Sequence, residues 1–397
     1  MEVLRSAKAV AFNRAIDAIL RKSVEESEVP GVVAVAATDR GVIYEGAFGV
    51  RELGKKESMT ADTVGYIASM TKPLTAAAAM KLVEEGELRL DEPAGNVIPS
   101  LHEVQVLEGF DSIGRPVLRP ASRAVTLRHL LTHTSGFGYQ IWNKDILRYI
   151  AETDTPSIFT SKDAALTVPL LCDPGERWVY GIGIDWVGKL VESVSGQRLG
   201  QYMQENVFAP LGMDSTSFKL RPTQRTRLAS MHAREPDCSL SVFPFEFTQD
   251  PEFEQGGGGL YGTMQDYLRF TQMLLHEGTL DRSRVLKPET VRMMSQNQIG
   301  DIDVVGLHTA MPQFSNDANF FPGMKQKWGL SFLINTEQTR EGRSAGSIAW
   351  AGLCNCYFWV DPIKRVTGAI MTQIFPFFDA RVIRLFRRFE AAVYDLL

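Results

Sequence analysis

Apolar and polar residues alternate at two different periods along this chain, and the switch between them separates a middle from two ends. Near the start, "GVVAVAAT" at 31–38 and "GVIYEGAFGV" at 41–50 are β-rich runs parted by Asp39 and Arg40, a spacing that predicts a hairpin. The far end has the same texture. "WGLSFLIN" at 328–335, "SIAWAGLCNCYFWVD" at 347–361 and "RVTGAIMTQIF" at 365–375 predict strands with turns between them. Residues 1–30 interrupt apolar positions with charges at helical spacing, and "DARVIRLFRRFEAAVYDLL" at 379–397 closes the chain as a helix. Between these ends the pattern turns helical at 73–86, 127–133, 184–196, 199–212 and 264–278. A long irregular stretch at 237–259 ends in "GGGG", and loops of that length in a compact chain are usually functional or flexible. The expected architecture is α+β: an antiparallel sheet built from both termini and flanked by helices, with a mainly helical insertion. Residues 1–60 and 320–397 would form a discontinuous sheet domain and 61–319 a mainly helical one.

Composition narrows the function. At 44% hydrophobic and 22% charged residues the chain is an ordinary globular protein. A net charge of -5 gives no electrostatic footprint for nucleic acid, and the one dense basic run, "RLFRRF" at 384–389, lies on the last helix. The N-terminal segment lacks the continuous apolar centre of a signal peptide, and no run approaches the ~20 apolar residues needed to span a bilayer. A cytoplasmic protein with no membrane partner is therefore expected, and self-association is compatible with the sequence. Cys172, Cys238, Cys354 and Cys356 are too few for a disulfide framework, and the last two would share one face of a strand as buried small hydrophobes.

Two serines compete as nucleophile. Ser344 sits in "GRSAG", which fits G-x-S-x-G, but that motif needs a strand-to-helix turn and a later His, and every histidine precedes it. It reads as a bystander in a turn entering a strand. Ser69 and Lys72 stand three residues apart in "YIASMTKPLTAAAAMKLVEEG", at a helix entrance where Pro73 is tolerated. That spacing puts both side chains on one helix face. Serine needs a nearby base, and lysine can serve if burial and the helix N-terminus lower its pKa. An N-cap serine followed by a surface lysine would show the same spacing. The small-residue run after it favours deep packing. His129 and His133 have metal-like spacing without the Glu of a zinc protease motif, and "GGGG" lacks the strand and Lys-Ser/Thr of a phosphate loop. No cofactor or metal is implied.

The blocks "YIASMTKPLTAAAAMKLVEEGELRLDEPAGNVIPSL", "VTLRHLLTHTSGFG", "DPGERWVYGIGIDWVGKLVESVSG", "PLGMDSTSF", "GGGGLYGTMQDYLRFTQMLLHEG" and "WGLSF" resemble, in order, those of the serine β-lactamase and penicillin-binding protein superfamily. The resemblance is nearest to the class C-like branch that contains family VIII carboxylesterases. It implies the β-lactamase-like fold with its active site between the two domains. It also implies Ser69 as nucleophile, Lys72 and Tyr180 as its base system, and Ser69 and Leu353 as oxyanion donors. Where lactamases have Y-x-N this chain has Tyr180-Gly181-Ile182, and where they have K-T-G it has Trp350-Ala351-Gly352, like the W-x-G of the esterases. Ile182 and Trp350 would replace an amide donor and a cation with apolar surface, which favours neutral esters over anionic β-lactams. The expected activity is a serine carboxylesterase acting on short-chain, small-molecule esters. Alternatives are a β-lactamase or D-amino-acid peptidase of the same fold, an acyltransferase if an alcohol or amine intercepts the acyl-enzyme, and a non-catalytic binding protein on this scaffold.

Overall fold

Seven antiparallel strands form the central sheet of the computed structural model, which describes residues 2–397 and side-chain surroundings from residue 11 onward. In chain order they are β1 (Gly31–Thr38), β2 (Gly41–Gly49), β3 (Gln326–Trp328), β4 (Leu333–Asn335), β5 (Ile348–Gly352), β6 (Cys356–Asp361) and β7 (Val366–Met371). The spatial order is β3-β4-β5-β6-β7-β1-β2, so the N-terminal hairpin docks on the C-terminal strands along the β1/β7 seam, Val33 opposite Met371. The predicted Asp39–Arg40 turn pairs Thr38 with Gly41. Every residue of β1 is buried, because helices cover both faces. Helices α1 (Glu2–Glu25) and α5 (Ala380–Tyr394) pack together, with α1 also on β1 and β2, while α4 (Met264–Leu275) packs on β1, β6 and β7.

Two expected strands are each split by a turn. "WGLSFLIN" folds back on itself because Gly329 N–H bonds Phe332 C=O at 2.8 Å and Ser331 takes a left-handed φ of 76°. In "SIAWAGLCNCYFWVD", Leu353–Asn355 form the turn, with Asn355 at φ 60°. Cys354 therefore lies in that turn and Cys356 opens the next strand, and their buried sulfurs still meet at 3.5 Å.

The chain between β2 and β3 supplies α2 (Thr71–Glu85) and α3 (Gly183–Ser195), which pack against each other. The fully buried Ala76–Ala79 run lets α2 sit deep, and Gly86 ends it in the left-handed conformation. No helix among the described residues is long and apolar enough to cross a membrane.

Candidate active site

Ser69 lies in a single 3-10 turn, Ala68–Met70, that leads directly into α2. Ala68 is held at φ +45°, a costly left-handed conformation for a residue with a Cβ, immediately before the serine. Thr71 fixes the junction: its hydroxyl donates to Ala68 C=O at 2.6 Å and accepts from Leu260 N–H at 3.1 Å. Lys72, on the first turn of α2, is wholly buried. Its Nζ donates to Ser69 Oγ at 3.0 Å, to Tyr139 Oη at 3.2 Å and to Gly257 C=O at 2.6 Å. All three partners are neutral. Burial therefore pulls the ammonium down to about 7, against a smaller upward pull from the charge of Asp185.

Asp185 stands in the first turn of α3, fully buried. It accepts from Gly257 N–H at 2.8 Å and from Tyr139 Oη at 3.3 Å, so one phenol separates it from Lys72. Burial raises its carboxyl to about 6, with Lys72 and these donors opposing. A Cβ on residue 257 would fall 2.6 Å from both Asp185 Oδ2 and Tyr139 Oη, which explains a glycine there. The "GGGG" turn thus delivers one carbonyl and one amide into the site.

Tyr180 lies over the lysine, its ring centroid 4.8 Å from Nζ. Burial pushes its phenol above the ordinary range, while the Ser69 hydroxyl and the Trp350 indole favour the phenolate. Trp350, on β5, donates its Nε1–H to Tyr180 Oη at 3.1 Å and packs on Trp328 at 4.6 Å between centroids. It is therefore a hydrogen-bond donor to the site as well as an apolar wall. Ser69, Tyr180, Trp350, Ala351 and Leu353 line one niche with Trp142, Leu307 and Phe377. The niche holds about 10 Å³, room for about one water. Among the described residues the Leu353 N–H has no acceptor. Gly352 lets β5 press against the loop before Ser69, since a Cβ there would meet Ile67 C=O at 2.3 Å.

Ile182 is the exception among the residues singled out from sequence. It precedes α3 and lines a separate small void with Tyr139, Ile146 and Ile158. Tyr139 and Asp185 were not singled out, and Gly257 was read only as part of the "GGGG" turn. Asp185 carried the one available signal, an acid inside the apolar stretch "YGIGIDWVG". His129 is half of a helix-capping pair with Thr126, each accepting the other's backbone N–H. The 237–255 segment is tethered: Leu240–Val242 pairs with His232–Arg234, and Phe245 and Phe247 pack on Tyr66 at 5.4 and 5.5 Å.

A serine-bearing turn entering a buried helix, a buried lysine and a phenol from a second segment meet at this site. The β-lactamase family model matches residues 16–392. The chain belongs to this family. It is 33% identical to the monacolin J acid methylbutanoyltransferase of Aspergillus terreus over 398 residues, covering 96% of this chain and 95% of that one. The lovastatin esterase of Penicillium rubens is 30% identical over 369 residues, covering 89% and 91%. A variant of simvastatin synthase from Aspergillus terreus superposes with a TM-score of 0.85 at 33% identity, covering 99% of this chain and 97% of that one. The fold and these relatives mark an active serine-hydrolase-type enzyme of the family VIII esterase and acyltransferase branch.

Proposed function

We propose that this protein is an acyltransferase: it carries a short acyl group as an ester on Ser69 and passes it to the hydroxyl of a larger acceptor. The observation that carries the acyl-enzyme is the buried Lys72 Nζ, 3.0 Å from Ser69 Oγ and with no carboxylate in contact. A lysine drawn to about 7 can hold or release a proton near neutral pH.

Lys72 and Tyr180 share the Ser69 proton as Oγ attacks the acyl carbonyl. The oxyanion is met by the N–H groups of Ser69, which as a first-turn amide has no helical partner, and of Leu353. Tyr180 returns the proton to the departing group, and the carbonyl re-forms as the Ser69 ester. An acceptor hydroxyl then gives its proton to Tyr180 and attacks the same carbon, releasing Ser69 with its proton restored. Trp350 favours the phenolate throughout by its 3.1 Å hydrogen bond.

Transfer is preferred to the carboxylesterase expected from sequence for two reasons. Beside the niche at Ser69 a cleft of about 510 Å³ shares Trp142, Tyr180 and Leu307 with it, room for an acceptor far larger than water. The methylbutanoyltransferase covers nearly the whole chain, and its name points to a short branched acyl group and a carboxylate-bearing acceptor. Hydrolysis is the second reading, favoured by the likeness to the lovastatin esterase. A p-nitrophenyl ester of methylbutanoic acid, offered with increasing amounts of a bulky secondary alcohol, separates the two. Transfer predicts a new ester that grows with alcohol at the expense of free acid, and free acid alone at every concentration would establish the hydrolase.

A further inference from the structure

Tyr180 belongs to no helix or strand, so something other than regular structure must hold its phenol in place. Trp350 Nε1–H holds the hydroxyl at 3.1 Å and Tyr139 N–H holds the Tyr180 carbonyl at 3.2 Å, and His133 grips the backbone on either side. Its carbonyl accepts from Val179 N–H at 2.7 Å, and its ring Nδ1 accepts from Gly181 N–H at 3.5 Å. One residue thus brackets Tyr180 on both sides. Its imidazole also stands against the Tyr180 ring, centroids 4.7 Å apart at 61°, with Trp328 and Trp178 at 5.2 and 6.1 Å.

Two features make this an odd choice for packing alone. His133 is 1% exposed, yet Nε2 has no hydrogen-bond partner, and its backbone is held at φ +56°. An orphaned buried donor and a left-handed non-glycine backbone each cost stability, on the order of 1–3 kcal/mol. A larger apolar ring would fill the space without the first of these costs. What it would lose is an acceptor for Gly181. Burial first, and then the nearby Lys72, hold the imidazole well below its usual range, so the ring is neutral and Nδ1 is free to accept.

We propose that His133 is a positioning residue, which fixes the Tyr180 phenol against Ser69 through the Gly181 N–H and the ring-to-ring contact. The proposal rests on Tyr180 being the proton-transferring phenol. It assigns a task to the second histidine of "HLLTH".

The test uses the full chain and an activated aryl ester. His133→Leu removes the acceptor, while His133→Asn restores one and tolerates the left-handed backbone. The expected result for His133→Leu is a fall in kcat of about tenfold to a hundredfold, as for a misplaced reacting group, with KM within about twofold. His133→Asn should recover most of the loss. In a Tyr180→Phe background, His133→Leu should cost nothing further. The proposal is overturned if His133→Leu keeps wild-type kcat, if the Asn variant is as impaired as the Leu variant, or if the full loss persists without the Tyr180 hydroxyl. It is also overturned if neither variant folds by circular dichroism, which would make the histidine structural. Wild-type activity in Tyr180→Phe alone would instead remove the reading of Tyr180 itself.

Discussion

Among the described residues two ionic networks lie fully buried, and each has a serine beside it. Around Ser344, Arg343 meets Glu390 through two parallel bonds of 2.8 and 2.7 Å, with both side chains 3% exposed. Around Ser69, Lys72 and Asp185 are equally buried but do not touch; the Tyr139 phenol and the Gly257 peptide stand between them. Burial acts in the same sense on both cations, disfavouring the charge. In the first network Glu390 more than offsets it, and Arg343 holds its proton more tightly than usual. In the second the carboxylate is one hydroxyl too far away, and Lys72 is drawn to about 7. A closed pair fixes structure, whereas an interrupted pair leaves a proton free to move.

The widest way to break this contrast is to remove the serines in turn. Ser69→Ala should abolish turnover, by about 10⁴-fold or more, because no other group can carry the acyl ester. Ester hydrolysis with circular dichroism on the same sample measures it, together with intact-mass detection of the acyl adduct in wild type only. Residual turnover within tenfold of wild type would move the nucleophile elsewhere.

This contrast was only half legible in the sequence. The strands at 31–38 and 41–49 showed because alternation and a two-residue gap are local signals, and Ser69 and Lys72 showed because one helical turn joins them. "WGLSFLIN" was overread as one strand, since the bond that turns it spans Gly329 to Phe332 inside an unbroken apolar run. That Tyr139, Asp185 and Gly257 belong to one site was not legible, for a different reason. They come from three segments that meet only after α2 and α3 have packed, and no spacing along the chain encodes that meeting. The cleft of about 510 Å³ beside Tyr180, with room for more than a water, is lined from two distant stretches that include Trp142 and Leu307 and is again a property of the folded chain.

Breaking the closed pair should cost stability and nothing else. Arg343→Met leaves Glu390 buried without a partner, a loss of about 3–5 kcal/mol by urea unfolding, with kcat per folded molecule unchanged. Adding Glu390→Leu should return much of that loss, because the orphaned charge goes too. A change in kcat for the folded single variant would show that this network reaches the chemistry.

Opening the interrupted pair should move a pH profile instead. Lys72 acts as a base only when neutral, so kcat/KM should rise with pH through the Lys72 value of about 7. The Asp185 charge favours protonated Lys72, and Asp185→Asn removes it, so the rising limb should shift to lower pH. The plateau should fall about tenfold, or ~1.4 kcal/mol, as the grip on Gly257 and Tyr139 loosens. Profiles from pH 5 to 9 decide it, and a limb that stays in place or moves upward would mean that Asp185 does not set the charge of Lys72.

Ser344→Ala should be the mildest change, although its serine sits in the more familiar motif. The work at that turn is done by the backbone: Ser344 N–H donates to Asp361 Oδ2 at 2.8 Å, and its carbonyl accepts from Asn335 Nδ2 and Ser347 Oγ, both at 2.8 Å. Its hydroxyl bonds no other described residue and is not among the buried unpartnered atoms, so alanine removes a group open to solvent and disturbs no protein partner. Stability should stay within about 0.5 kcal/mol of wild type and kcat should be unchanged. Unfolding and turnover measured on one preparation would separate the two contributions. Lost turnover with an unchanged unfolding midpoint would place a reacting group at "GRSAG", and the closed pair could then no longer be read as structural.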